Sequence, residues 1–501
     1  MLKKLSFLIK KEYLILYFII FIGAILRLPG IFTNSFAFTY DVGRDMLALW
    51  DIVYVHKIPL IGATTGLPGV FYGPWWYYLL SIPFLFSFGD PQGIALTMSL
   101  FGIATIIMAY FVGKRISGVF LGLCFSGLIA VSSDFISLSS QIWNPNIAPL
   151  FVIFIIFILV KIYSFDNAKI IHRYFFILGI LLALNIDFEI VFGVLLLIGV
   201  IASLIWINYK IISLRSMLAF SLGVVLIFSP RIIFELRHQF LMTKSFIAFL
   251  ISGNSSNSLS SIMEIFVNRL SIFFNLFNFT LSKGSKSLGL IFLFFIIFTL
   301  FLFYKNSNSL IKKLITTSLI IIGTFLIGTT FFSHDIWPHY LVGLPVFYTF
   351  IFSCCLYLVF KRHSTILIPL AVIIIFLVNL NPIALIKDIN KPMWKGDASV
   401  YRNQLEIIDY VYSQSKGKSF KYVVYTPPVH DYPYRYLFKW YGPKKYHYLP
   451  SDNSNLAYFI LEPDLQYPSR LVDWLKSREK DGKIIKTERF KSGIIVQTRI
   501  N

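Results

Sequence analysis

Long apolar runs separated by short polar connections make up the first three-quarters of the chain. They lie at about Leu14–Ile31, Gly93–Val112, Gly118–Ser132, Ile147–Val160, Tyr174–Ile186, Ile190–Ile207, Met217–Phe228, Leu288–Phe303, Leu314–Phe332, Tyr340–Phe360 and Ile366–Leu380. Runs of this length and composition read as membrane crossings, about eleven in all. Trp75–Phe88 is apolar but short, and its aromatic residues suit a juxtamembrane or half-inserted helix. Between the seventh and eighth crossings a long external segment is expected from Ser229 onward. It passes a Ser/Asn/Gly-rich stretch, Ser252–Ser261, and an amphipathic run, Ile262–Leu281. From about Asn390 the pattern changes. Helical periodicity at Tyr401–Ser413 and Ser469–Lys480 alternates with strand-like runs at Phe420–Thr426, Ala457–Leu461, Lys483–Phe490 and Ile494–Thr498. The expected fold is a polytopic α-helical membrane protein with a small C-terminal α/β domain, divided as residues 1–389 and 390–501.

Composition agrees with this and adds a direction. Hydrophobic residues are 57% of the 501 and charged residues only 14%, which excludes an ordinary soluble globule. The net charge of +21 is not spread evenly. Basic residues gather at Lys3, Lys4, Lys10 and Lys11; Lys114 and Arg115; Lys161, Lys169 and Arg173; Lys210 and Arg215; Lys305, Lys312 and Lys313; and Lys361 and Arg362. These fall in alternate connections, the positive-inside pattern, so the charge sets topology and gives no ground for nucleic-acid binding. It puts the N-terminus in the cytoplasm and the C-terminal domain outside. The N-terminal basic and apolar segment lacks a small-residue cleavage site and carries Arg27 and Pro29, so it reads as a retained first helix. Cys124, Cys354 and Cys355 lie inside apolar runs, which implies neither a disulfide framework nor a thiolate metal site.

Candidate chemistry collects on the external side. In Phe38–Met46, just after the first crossing, Asp41, Arg44 and Asp45 fall at i, i+3 and i+4 and share one helical face. Leu47, Leu49, Trp50 and Val53 are then available to face lipid, as in a helix lying in the interface. A carboxylate there can serve as a general base; the same residues also suit a helix cap with a local ion pair. Further external polar residues are Asp134, Asn144 and Asn146; Asp187 and Glu189; Arg231, Glu235, Arg237 and His238; and His334, Asp335 and His339. Arg231, Arg237 and His238 have the donors to hold a phosphate, and equally suit headgroup anchoring. The His334-Asp335-x-x-x-His339 spacing resembles a metal site only superficially, because Pro338 interrupts any helix. No cofactor is expected, and a divalent metal has no ligand set to support it. The sequence has no Walker loop, dinucleotide fingerprint or nucleophile elbow, against an ATP-driven pump or a serine hydrolase.

These motifs resemble the GT-C superfamily of polytopic glycosyltransferases, close to the GT39 type of protein O-mannosyltransferases and lipid A aminoarabinose transferases. The resemblance rests on Asp41-Val-Gly-Arg44 after the first crossing, on Pro59-Leu-Ile-Gly62 and on Gly73-Pro-Trp-Trp-Tyr-Tyr-Leu-Leu80 ahead of Phe88-Gly89, in that order. It implies transfer of a sugar from a polyprenyl-phosphate donor to an extracytoplasmic acceptor (lipid, protein or envelope glycan), with Asp41 as catalytic carboxylate and Arg44 orienting it. Asp45, Asn144, Glu235 and His339 are the expected lining of the sugar or acceptor pocket. Two positions depart from the family. Phe71-Tyr72-Gly73-Pro74 lacks the usual basic residue, and Trp143-Asn144-Pro145-Asn146 stands where many members have a second acid. Phosphate binding then falls to Arg231 or Arg237. The rival readings are a transporter or flippase, whose polar groups would lie at mid-span, and an O-antigen-type polymerase or ligase.

Overall fold

The structure, a computed structural model, describes residues 11–164, 168–252, 259–332, 335–360, 397–427 and 430–500. The expected crossing at Ile366–Leu380, the domain boundary at 389/390, His334 and the basic residues Lys3, Lys4, Lys10, Lys361 and Arg362 lie outside the described residues. The chain begins with α1 (Lys11–Ile25) and a single helical turn at Pro29–Phe32, so the first helix is shorter than its apolar run. Next come α2 (Tyr40–Tyr54), α3 (Trp75–Phe86), α4 (Pro91–Ser117), α5 (Val119–Val131) and α6 (Ser133–Ser140). The bundle continues with α7 (Ala148–Ser164), α8 (Ala168–Phe188), α9 (Ile190–Asn208), α10 (Leu214–Arg237) and α11 (Leu241–Ser252). It ends with α12 (Leu259–Ser282), α13 (Lys286–Phe303), α14 (Ser309–Thr330) and α15 (Leu344–Phe360). Nine helices among the described residues are long and apolar enough to cross a bilayer, or ten if α5 and α6, which meet at 60°, form one span.

Two expectations about the segment after Phe228 fare differently. The helix does not stop at Ser229; α10 runs through Pro230 to Arg237. Proline removes the amide that would bond the Leu226 carbonyl, but the Ser229 hydroxyl donates to that carbonyl at 2.8 Å. The Trp75 indole N–H donates to the neighbouring Ile227 carbonyl at 2.7 Å and fastens α3 to the same turn. In contrast, α12 keeps to one end of the bundle although it is long enough to cross. Arg269, midway along α12, donates to the Thr329 carbonyl in the last turn of α14 and to the Phe332 carbonyl just past it, while the Thr280 carbonyl accepts from Ser132 at the end of α5. Both α5 and α14 start from basic connections, so the middle and the C-terminal end of α12 meet the same face, opposite those connections.

The C-terminal domain contains α16 (Tyr401–Ser415), β1 (Lys421–Tyr425), α17 (Tyr432–Tyr446), β2 (Leu456–Leu461), α18 (Pro468–Ser477), β3 (Lys483–Arg489) and β4 (Ile495–Ile500). Its sheet has the order β1-β2-β4-β3, with β1 parallel to β2 and the other pairs antiparallel. Helix α17 makes the parallel crossover, as such a pair requires.

This domain sits directly on the segment that follows α1. The Phe38 amide donates to the Ser399 carbonyl and the Tyr401 amide to the Phe36 carbonyl. The Trp440 indole donates to the Phe88 carbonyl at 2.8 Å, and the Tyr436 hydroxyl to that of Gly89. Val42, Met46 and Leu49 of α2 are buried with Tyr434, Tyr436 and Leu437 of α17. Of the four residues read as facing lipid, Leu49 is buried against protein while Leu47, Trp50 and Val53 are half-buried, so the interfacial reading is corrected at Leu49: each of two amphipathic helices supplies the other's apolar partner. Gly43 allows the approach, since a Cβ there would stand 2.3 Å from the Pro433 nitrogen and 2.6 Å from the Tyr432 carbonyl carbon. Gly43→Ala should cost about 1–3 kcal/mol and lower the unfolding temperature of the purified protein. Gly66→Ala, where nothing lies within 4 Å of the added Cβ, should leave it unchanged.

Candidate active site

Helix α2 carries the centre of the site on its first turn. Arg44 Nη1 lies 2.7 Å from Asp41 Oδ1, while its Nε and Nη2 lie 3.0 and 2.8 Å from Asp45 Oδ1. The two acids sit in different environments. The Asp45 side chain is 1% exposed, against 31% for Asp41. Asp45 Oδ2 accepts the Trp76 indole N–H at 2.9 Å and Oδ1 the Tyr77 hydroxyl at 3.2 Å, so Asp45 anchors the helix to α3. It does not line an open pocket. Burial raises the Asp41 pKa above the usual carboxylate range; Arg44 opposes this and Asp45 adds to it. Asp41 is thus the more accessible acid, with its basicity raised by burial.

A second cluster forms where α8 meets α9. Gly62 and Tyr72 pair their backbones, and Thr64 bridges Phe71, so the loop after α2 doubles back and delivers Tyr72 and Gly73. The Tyr72 hydroxyl donates to Glu189 Oε2 at 3.0 Å. Its own pKa is raised by burial, then by Glu189, with Asp41 adding to the effect, so this phenol lies within the field of both carboxylates. His339, on the short turn Pro338–Leu341, places Nε2 3.8 Å from Glu189 Oε2 and its ring 4.8 Å from that of Trp143. Asn144 is buried, and its amide donates to the Phe188 carbonyl, fixing the α8–α9 turn. A cavity of about 490 Å³ opens beside this turn. Tyr72, Glu189, Asp335 and Tyr340 give it a polar side; Val70, Phe246, Phe249 and Trp337 give it an apolar one.

Arg231 completes the site through helix packing. Helices α8 and α10 touch backbone to backbone at two glycines: a Cβ on Gly179 or Gly223 would lie 2.3 Å from a carbonyl of the other helix. That contact sets Arg231 Nε 3.0 Å from Asp187 Oδ1. Asp187 Oδ2 accepts the Trp75 amide at 3.1 Å, and its carboxylate fills the space a side chain on Gly73 would need. Arg231 is 12% exposed, and its Nη2 is buried without a hydrogen-bond partner among the described residues.

The remaining expected residues do not join this group. Glu235 turns to the start of α11, accepting the Met242 and Thr243 amides and the Thr243 hydroxyl, which makes it a cap. The His238 ring stacks on Phe234, and Arg237 is exposed at the end of α10. Asp134 instead accepts from Thr280. Sequence reasoning named Asp187 and Glu189 among the external polar residues but gave them no role, and it did not single out Tyr72 as a site residue; two acids bracketing Phe188 between apolar runs were the available signal. Among the described residues no three His, Cys, Asp or Glu side chains converge as metal ligands.

Glu189 gives a direct check on this geometry. Burial raises its pKa from 4.5 to about 8, with Tyr72 opposing the shift. The folded state therefore binds a proton that the unfolded chain releases, and this stabilisation is full below about pH 4.5 and is lost as pH rises through about 8. Thermal unfolding followed from pH 5 to pH 9 should show stability falling across that window. Glu189→Gln, which mimics the protonated form, should flatten the fall.

No family model matches the sequence, and a search of curated proteins gives no match. Among solved structures, the chain is similar to ArnT from Cupriavidus metallidurans bound to undecaprenyl phosphate, with a TM-score of 0.60 and 11% identity over 97% of each chain. The apo state of that protein gives a TM-score of 0.60 and 10% identity over the same shares. The oligosaccharyltransferase of Archaeoglobus fulgidus, in complex with Zn and sulfate, gives a TM-score of 0.50 and 14% identity over 82% of this chain and 60% of that one. At such identities the likeness is one of fold. Helical bundle and C-terminal domain together share the fold of that ArnT.

Proposed function

We propose that this protein is a membrane glycosyltransferase that moves one sugar from a polyprenyl-phosphate donor to an acceptor hydroxyl on the extracytoplasmic side. The observation that carries the reading is the unequal pair of acids on Arg44. Asp45 is sealed and fully bonded, which leaves Asp41 as a fixed, accessible and strengthened base. The fold supports it, since an ArnT of the same fold has been solved bound to undecaprenyl phosphate. In this reading the N-terminus is cytoplasmic, residues 1–389 hold the donor in the bilayer, and the domain from 390 covers the acceptor side.

The reaction is an inverting displacement. Asp41 takes the proton of the acceptor hydroxyl as that oxygen forms its bond to the anomeric carbon. The bond from that carbon to the phosphate oxygen breaks, and the electron pair leaves with the prenyl phosphate. Negative charge grows on the departing phosphate, where a cation held in place beforehand contributes most. Arg231 has the unpartnered Nη2 for this role and stands in for the basic residue absent before Pro74. Tyr72, Glu189 and His339 line the sugar side, with Asn144 holding the turn that carries Glu189.

Transfer from a purified polyprenyl-phosphate sugar should fall about a hundredfold or more in Asp41→Asn, the scale of a lost general base. Activity near wild type would remove Asp41 from this role. Arg231→Lys, which keeps the charge and loses the planar fork, should lower kcat/KM for the donor about tenfold without unfolding the protein.

A further inference from the structure

Three aromatic rings meet beside Asp41 and come from two parts of the chain. Tyr40 opens α2 and is the immediate neighbour of Asp41; His430 follows β1, and Tyr432 opens α17. Ring centroids are 6.2 Å apart for Tyr40–His430, 5.8 Å for Tyr40–Tyr432 and 5.1 Å for His430–Tyr432. All three planes lie within 26° of one another. Rings stacked in one column would place the outer pair at about twice the inner spacing. Three near-equal separations instead mean offset, partly overlapping rings that step across one another as a floor. His430 is exposed, and Tyr40 and Tyr432 are half-buried, so part of this floor is open to solvent. The Arg44 and Arg435 guanidinium carbons, each 5.7 Å from a ring centroid, brace Tyr40 and Tyr432 at the two ends.

We propose that this floor is a carbohydrate-binding subsite that receives a pyranose ring of the acceptor, an inference that rests on the transferase reading above. The electron-rich ring faces attract the polarised C–H bonds on the flat side of a pyranose, and phenol and imidazole edges can bond its hydroxyl rim. The sugar ring would lie one residue from the base that must reach its hydroxyl. The cations at both ends do not suit an acyl chain, which would need aliphatic walls. The acceptor is thereby a glycan or glycolipid headgroup, and the C-terminal domain contributes two of the three rings that hold it.

The test measures binding without turnover. Saturation-transfer NMR on the purified full-length protein would use maltotriose and chitotriose as pyranose probes and sorbitol as an open-chain polyol. At least one trisaccharide should bind saturably, with transfer strongest to its ring C–H protons, and sorbitol should not bind. His430→Ala, at an exposed position, and Tyr432→Leu, which keeps side-chain bulk, should each weaken binding about tenfold. Tyr432→Phe should stay within about threefold, since the ring remains. Because the probes bind without turnover, failure of the base assignment and failure of this subsite are read separately. Trisaccharide binding unchanged in both His430→Ala and Tyr432→Leu would overturn the subsite. So would equal binding of sorbitol, or no saturable binding of either trisaccharide.

Discussion

One guanidinium shared between two unlike carboxylates sets the terms for the rest of the site. Arg44 neutralises Asp45, whose buried charge would otherwise be costly, and the Trp76 and Tyr77 donors occupy the remaining oxygen positions. Asp41 receives a single contact from the same cation and keeps most of its acceptor capacity for a substrate. The arrangement is asymmetric by construction: one acid fixes the helix, and the other is held in place by it.

Such an arrangement needs a rigid support, which two packing events supply. The apolar face of α2 lies against α17, at a distance that Gly43 alone permits, so the first turn cannot roll. On the other side, α3 is tied to α10 through Trp75, and α10 approaches α8 through Gly179 and Gly223. Arg231 and Asp187 therefore hold the same strand of loop, through the Trp75 amide and Gly73, that presents Tyr72. In the proposed reaction, Arg231 and Asp41 held on separate elements in this way would need no reorganisation as charge moves.

Local spacing made the centre of the site legible. The i, i+3, i+4 pattern of Asp41, Arg44 and Asp45 places three side chains together on any helix, and the helix is there. What it could not reveal is which acid would be sealed, because that depends on Trp76 and Tyr77 packing from another element. Glu189 and Tyr72 are 117 residues apart, and nothing in either neighbourhood announces their bond. Arg231 was singled out, but in a segment expected to leave the helix at Ser229; the Ser229 hydroxyl that makes Pro230 tolerable is a side-chain effect that periodicity does not register. The lipid-facing reading of Leu49 failed for a related reason, since an amphipathic face does not name its apolar partner. Helix α17 escaped notice because Pro433, Gly442 and Pro443 break its pattern, although Pro433 stands in the first turn where the missing amide costs little.

The pH profile of kcat/KM for sugar transfer, compared between the wild-type protein and a folded Asp45→Asn variant, tests the coupling most directly. Removing the Asp45 charge takes away the repulsion that raises the Asp41 pKa and leaves Arg44 to act on Asp41 alone. The account predicts that the acid limb of the profile moves to lower pH in the variant. An acid limb that stays at the wild-type position would contradict it.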